Sequence, residues 1–513
     1  MNQVENDVDA STIEMLSYKE QKEAFVTGHE GTTPWEVLLV CLSAPIGVAC
    51  YQQLMIYNNA GSRGKVEDNN SIMSSRIQSI LLEAILVWFP MVLCQTKFLY
   101  PYGVAFLTIQ STIVLALRRL ILSKKKNKPH ASSNSSKNDY EDSSKIRLDF
   151  LTAYRSSILY LTFVAILAVD FHVFPRRFAK TEVYGYGLMD VGAASFCFSA
   201  GLVSRQAKPQ RPTATSQINL KQVLHTLPLV IIGLLRTWTN KELDYQEHVS
   251  EYGVHWNFFF TMGVMVIVPS IMVPAKPTLR GTWILPAAIL VLYQLALSFG
   301  KLQDYIETAP RKCDANHNAT SSSSDSSSWS LPCVGFVAAN REGIFGCLGY
   351  LSLYFIGEYI GRDFLWKRKP LWKPTIVLVM LFLVSSQVVA ITVSRRSTNL
   401  TFCLWAAAHN VLLLAVFEEV MKKNNKCGRL PIVMETVNRV GLPIFLIANL
   451  LTGLVNLTIP TLEVADGPAL WIVFGYICLV GGAAMLVDWA IQSVLLGKAS
   501  KAEKEEEEAK KKD

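Results

Sequence analysis

Between positions 170 and 182 the chain reads Asp170, Phe171, His172, Val173, Phe174, Pro175, Arg176, Arg177, Phe178, Ala179, Lys180, Thr181, Glu182. Two carboxylates, three cations and a histidine between aromatic and proline anchors suit a held anion or hydroxyl substrate better than a flexible linker; the alternative is a helix-end acid neutralised by its neighbours. A second polar stretch, Asp244 to Asn257, contains His248, Glu251, His255, Trp256 and Asn257. Acids and amides there can hold hydroxyls while aromatic faces stack on a ring, which is what a sugar or cyclitol requires, although an interfacial aromatic belt has a similar composition. His248 and His255 lie seven residues apart, with no HExxH or paired cysteines beside them, so no metal site is expected. A third set, Asn340, Arg341 and Glu342, opens an apolar run, where a helix N-terminus adds donors for an anion such as phosphate; a plain charged cap is the alternative.

These polar sets sit in a chain of 513 residues that is 50% hydrophobic and only 18% charged. Such a chain is too apolar for two or three water-soluble domains. Apolar stretches of about 18 to 22 residues, enough to cross roughly 30 Å of hydrocarbon, recur between short polar connections. The expected fold is therefore an all-α polytopic membrane bundle of about thirteen transmembrane helices. The spans are placed near 35–57, 76–95, 98–117, 151–169, 186–204, 219–236, 253–273, 281–299, 341–361, 374–394, 400–420, 440–458 and 469–495. Residues 1–34 form an N-terminal segment too polar for a cleavable signal peptide, 35–495 the membrane domain and 496–513 a charged tail.

Loops after odd-numbered spans carry most of the lysine and arginine, including Arg118, Arg119, Lys124 to Lys126 and Lys367 to Lys369. The positive-inside rule then makes those loops and the C-terminus cytosolic and the N-terminus lumenal. The net charge of +8 is topology information on this reading, and no nucleic-acid motif accompanies it. The loop near 300–340 agrees with a lumenal side, because it holds a sequon at Asn318 and two cysteines, Cys313 and Cys333. In an oxidising compartment that pair closes a disulfide worth about 3 kcal/mol; otherwise both are free thiols. The tail ends Lys510, Lys511, Lys512, Asp513, similar to a dilysine retrieval signal for the endoplasmic reticulum, or else simply solvated.

Glu83, Asp190, His225, Glu358, His409, Glu418 and Asp488 fall within spans and should face the bundle interior or a wet cavity. They fit an enzyme's pocket or a transporter's relay equally. A lipid or polyol transporter or scramblase is the alternative function, supported only by helix count and these charges, since neither an inverted repeat nor a matched pair of broken spans is visible.

Five segments carry a more specific signal. DFHVFPRRFAKTEVYGYGLMDVGAASFCFSAGLVSR (170–205), YQEHVSEYGVHWNFFFT (245–261), ANREGIFGCLGYLSLYFIG (339–357), NRVGLPIFLIANLLTGLVNLTI (438–459) and KEAFVTGHEGTTPWEV (22–37) together resemble the inositol acyltransferases of glycosylphosphatidylinositol (GPI) anchor synthesis, called PIG-W in animals and GPI-anchored wall transfer protein in yeasts. The resemblance implies a multi-pass enzyme of the endoplasmic reticulum membrane. It would transfer a long acyl chain, typically palmitoyl, from acyl-CoA to the inositol 2-hydroxyl of glucosaminyl-phosphatidylinositol. Acyl-CoA is a co-substrate, and no bound cofactor is implied. The family's expected essential pair, an Asp and a Lys ten residues later, maps onto Asp170 and Lys180. Asp170 would serve as general base and Lys180 would orient it or meet the oxyanion. Arg176, Arg177 and Arg341 are the candidates for phosphates of the lipid or of CoA. His172 or His255 is the alternative base. Because acyl-CoA is made on the cytosolic side, a lumenal site requires the CoA or its acyl chain to be threaded through the bundle.

Overall fold

The computed structural model describes residues 18–61, 69–100, 102–126, 139–208, 226–242, 249–272, 282–311, 335–422 and 430–510. Asn318, Cys313, Cys333, His225, His248 and the last three residues lie outside these ranges. In chain order the helices are α1 (Tyr18–Val26), α2 (Pro34–Gly61), α3 (Asn69–Glu83), α4 (Phe89–Cys94), α5 (Tyr102–Lys126), α6 (Asp139–Ala168), α7 (Leu188–Leu202), α8 (Leu227–Glu242) and α9 (Val249–Tyr252). They continue with α10 (Phe258–Ile271), α11 (Ile284–Phe299), α12 (Leu302–Thr308), α13 (Gly335–Ala339), α14 (Arg341–Ile360), α15 (Trp372–Leu383), α16 (Leu400–Lys422), α17 (Ile432–Arg439), α18 (Gly441–Thr458) and α19 (Asp466–Lys510). Among the described residues the only β pairing is a pair of isolated bridges from Gly31 and Thr32 to Tyr186. The expected all-helical class is what the described residues form.

Among the described residues, eight helical stretches are long and apolar enough to cross a bilayer: Pro34–Asn58, Ser74–Cys94, Tyr102–Ile121, Asp149–Ala168, Arg341–Leu365, Leu400–Lys422, Gly441–Thr458 and Asp466–Leu495. The pair α11 and α12 makes a broken ninth, bent by 70°, where Lys301 takes a left-handed φ of 54°. Shorter apolar helices, Leu188–Leu202, Leu227–Trp238, Phe258–Ile271 and Trp372–Val388, occupy the remaining expected segments. A 15-residue helix such as α7 reaches only about 22 Å, so these cover less of the hydrocarbon than the long ones. The acidic and basic run after residue 500 continues α19 as helix to Lys510.

Contacts divide the chain into two compact units, with the division falling inside α2, between Pro175 and Arg176, and inside α16. Unit 1 is Met1–Val37 with Arg176–Leu412. Its axis is α14, buried along nearly its whole length and packed against α7, α10 and α11. Glycines permit that packing. A Cβ at Gly201 would meet the Tyr354 carbonyl oxygen at 1.9 Å and one at Gly357 would meet that of Phe198 at 2.2 Å. The backbones of α7 and α14 thus touch directly, the usual route to close association where lipid removes the hydrophobic drive.

Unit 2 is Leu38–Pro175 with Leu413–Asp513. There the short helix α17 packs against α6 and α19. The intramembrane acid Glu83 is explained by it: its two carboxylate oxygens accept from the backbone N–H groups of Val433 (2.9 Å) and Met434 (2.8 Å). Those are first-turn donors of α17 that have no partner within the helix. Glu83 is a cap supplied from another helix.

Candidate active site

The loop between α15 and α16 is the keystone of unit 1. Asn399 locks it, its Oδ1 accepting from Phe402 N at 3.0 Å and its Nδ2 donating to Thr392 O at 2.7 Å. Thr398 seats the loop on the glycine face of α14, donating to Gly346 O at 2.9 Å, and a Cβ at Gly349 would meet Thr398 O at 2.3 Å. The Tyr293 hydroxyl donates to Ser397 O at 2.7 Å. This seating fixes two consecutive arginines, Arg395 and Arg396.

Arg395 is almost fully buried and pairs with two acids, Asp190 at 3.4 Å and Glu251. Its guanidinium lies 5.5 Å from the Tyr252 ring centre. The second oxygen of Glu251 accepts from Lys180 Nζ at 2.5 Å. Asp190 in turn accepts from the Thr181 hydroxyl (2.8 Å) and from Gly187 N (3.0 Å), which holds the strand of chain carrying Lys180. Burial works to raise the Glu251 carboxyl, but Lys180 and then Arg395 outweigh it and hold the group down at about 2. Glu251 is therefore held as an anion between two cations, and Lys180, 37% exposed along its side chain, is held at the edge of the network.

The N-terminal segment closes around this strand. Thr32 N donates to Tyr186 O at 2.7 Å, Glu182 N to His29 O at 3.1 Å and Gly185 N to Val393 O at 2.9 Å. Arg176 stacks 3.9 Å from the Phe25 ring centre and Arg177 forms a forked pair with Glu36, the shortest contact being 2.9 Å. These two arginines, expected at a phosphate, are both engaged by residues 25–36.

Elsewhere in unit 1, His255 N donates to Asn340 Oδ1 at 2.7 Å, and Trp256 Nε1 donates to Thr261 at 3.0 Å. Asn257 caps α10, accepting from Phe259 N at 3.0 Å. Arg341 is buried and donates to the carbonyls of Ile306 and Ala338. Glu342 has no exposed side-chain surface and is held by Arg311 at 2.7 Å and Arg396 at 3.0 Å.

Asp170 belongs to unit 2. It is half-buried just past the end of α6 and its Oδ2 accepts from Asn456 Nδ2 at 2.7 Å. The turn after it is tied down by Lys97 N donating to Val173 O at 2.8 Å.

The GWT1 family model matches residues 18–487. "GPI-anchored wall transfer protein 1" of Aspergillus oryzae is 33% identical over 537 residues, covering 92% of this chain and 98% of its own length. The chain belongs to the GWT1 family. Proteins of the same name from Emericella nidulans (32% identity, 91% of this chain and 97% of their own) and Kluyveromyces lactis (31%, 94% and 100%) are similar over the same extent. In this GWT1-family chain the five distinctive segments meet within each unit. Residues 22–37 clasp 176–186, and Glu251 of the second segment touches Lys180 of the first. Asn456 of the fourth touches Asp170. Arg311, Arg395, Arg396 and Asn456 were not among the expected site residues, and Asp190 was expected only as one of several interior acids. The tandem arginines of SRRSTN, 394–399, were the available signal: a cationic pair in a loop that the charge rule puts on the lumenal side.

Proposed function

We propose that this GWT1-family chain is an O-acyltransferase of GPI-anchor biosynthesis in the endoplasmic reticulum membrane. It transfers a long acyl chain from acyl-CoA to the inositol 2-hydroxyl of glucosaminyl-phosphatidylinositol. The observation that carries this reading is Lys180: a partly exposed ammonium fixed by an ionised, largely buried carboxylate, in a chain similar over 92% of its length to a protein named for GPI-anchored wall transfer. We further read thirteen crossings, with a lumenal N-terminus and a cytosolic C-terminus.

In the transfer, the inositol oxygen attacks the thioester carbon and its proton passes to Asp170. Asn456 anchors one carboxylate oxygen of Asp170 and sets the plane of the base. As the tetrahedral intermediate forms, Lys180 donates to the developing oxyanion; a positioned donor of this kind is worth about 10²- to 10³-fold. The carbon–sulfur bond then breaks and the proton leaves with the CoA thiol. The ring hydroxyls of the acceptor meet His255 and Trp256 in this reading, and Glu251 contributes by holding Lys180.

The test is the product made in cells lacking their own inositol acyltransferase. With the chain expressed, membranes given labelled palmitoyl-CoA and glucosaminyl-phosphatidylinositol yield a lipid resistant to phosphatidylinositol-specific phospholipase. Good expression with no such lipid refutes the assignment.

A further inference from the structure

Unit 1 contains a cationic cluster that the transfer chemistry above does not use. Three guanidiniums surround one fully buried carboxylate: Glu342 lies 2.7 Å from Arg311, 3.0 Å from Arg396 and 3.8 Å from Arg341. The formal sum is two positive charges. Arg311 forks onto both oxygens of Glu342; the remaining acceptors are backbone carbonyls, Ala339 for Arg311, Ile306 and Glu307 for Arg396, and Ile306 and Ala338 for Arg341, which carry only partial charge. The nearby Glu307 carboxylate is occupied by Gln303 and by the Tyr184 hydroxyl. Arg341 is 3% exposed and turned to two carbonyls, whereas Arg311 and Arg396 keep 25% and 12% of their side chains open.

We propose that Arg311 and Arg396, braced from beneath by Glu342, form the subsite for the phosphodiester of the inositol lipid; this rests on the proposed transfer to inositol. Guanidiniums match phosphate oxygens in a planar fork, and a net positive, partly desolvated cluster is completed by an anion. The lipid phosphate is favoured over those of CoA by connectivity. The reacting 2-hydroxyl sits on the ring carbon next to the one bearing the phosphodiester, so phosphate holder and transfer chemistry must be close. Arg396 is the immediate neighbour of Arg395, about 3.8 Å away along the backbone, and Arg395 shares Glu251 with Lys180. Glu342 is a positioning residue here, and Arg311 and Arg396 are the binding residues.

The experiment uses the purified full-length chain. Arg396→Gln and Arg311→Gln should each raise KM for glucosaminyl-phosphatidylinositol about ten-fold or more and leave KM for palmitoyl-CoA unchanged, with Arg396→Lys recovering part of the loss. In the wild type, soluble glycerophosphoinositol should raise the melting temperature where free inositol at the same concentration does not, and the Arg396→Gln variant should lose that response. Unchanged KM values for both substrates, or equal stabilisation of the wild type by inositol and glycerophosphoinositol, overturn the subsite. A rise confined to the palmitoyl-CoA KM also overturns it and gives the cluster to CoA. A wild type that binds glycerophosphoinositol specifically yet makes no acylated lipid would refute the proposed function and leave the subsite standing.

Discussion

Lys180 Nζ lies 2.5 Å from Oε2 of Glu251, whose other oxygen is taken by Arg395. One carboxylate therefore sets the position of the lysine expected to meet the oxyanion, from 71 residues away in the sequence. Glu251→Gln keeps the shape and removes the charge. Turnover should fall by about ten-fold or more, with KM for both substrates within about two-fold; steady-state kinetics of matched preparations check this. Unaltered turnover would show that Glu251 does not position Lys180.

The same carboxylate has a pH signature. Its folded pKa of about 2 lies below the ordinary 4.5, so its stabilising contribution is present above pH 4.5 and is lost as pH falls toward 2. The melting-temperature difference between wild type and Glu251→Gln should be constant from pH 7 to pH 5, then narrow below about 4.5. Thermal unfolding across that range reads it out, and narrowing already near pH 6 would contradict the assignment.

Asn456 anchors Asp170 at 2.7 Å. Asn456→Ala should reduce kcat by about ten-fold, the usual scale for one hydrogen bond to a charged group, with KM for palmitoyl-CoA unchanged. Asn456→Asp should cost more, because two carboxylates cannot share that distance while both are ionised.

Glu83 caps α17 from another helix. Glu83→Ala leaves two buried N–H donors without acceptors, at about 1–3 kcal/mol each, and should lower the melting temperature and the yield of folded protein. Protein that does fold should turn over normally, which separates this acid from the transfer chemistry.

Most of the fold was legible because apolar runs of membrane-spanning length are a one-dimensional signal. Every expected segment is helix where it is described, and differences are at the ends, as at 98–117, where α5 begins only at Tyr102. The partners were not legible, because they depend on which loops meet. Glu83 looked like a pocket or relay acid and is a helix cap. Arg176 and Arg177 are candidates for phosphates in the sequence, and their contacts with Phe25 and Glu36 could not be read there. Conversely, nothing in the sequence singles out Arg396 from its neighbour Arg395, and its 3.0 Å contact with buried Glu342 is what gives it a role. The glycines of ANREGIFGCLGYLSLYFIG make sense only with their neighbours present: Gly349 admits Thr398 and Gly357 admits Phe198.

The most direct measurement is mass-resolved product analysis of purified wild type and Asp170→Asn, at equal folded protein, supplied with palmitoyl-CoA and glucosaminyl-phosphatidylinositol. The account predicts a palmitoyl ester on the inositol 2-hydroxyl from wild type, and at least about a hundred-fold less from Asp170→Asn, the scale of lost general-base catalysis. Equal product from both would contradict Asp170 as the base, and no ester from a well-folded wild type would contradict the acyltransferase itself.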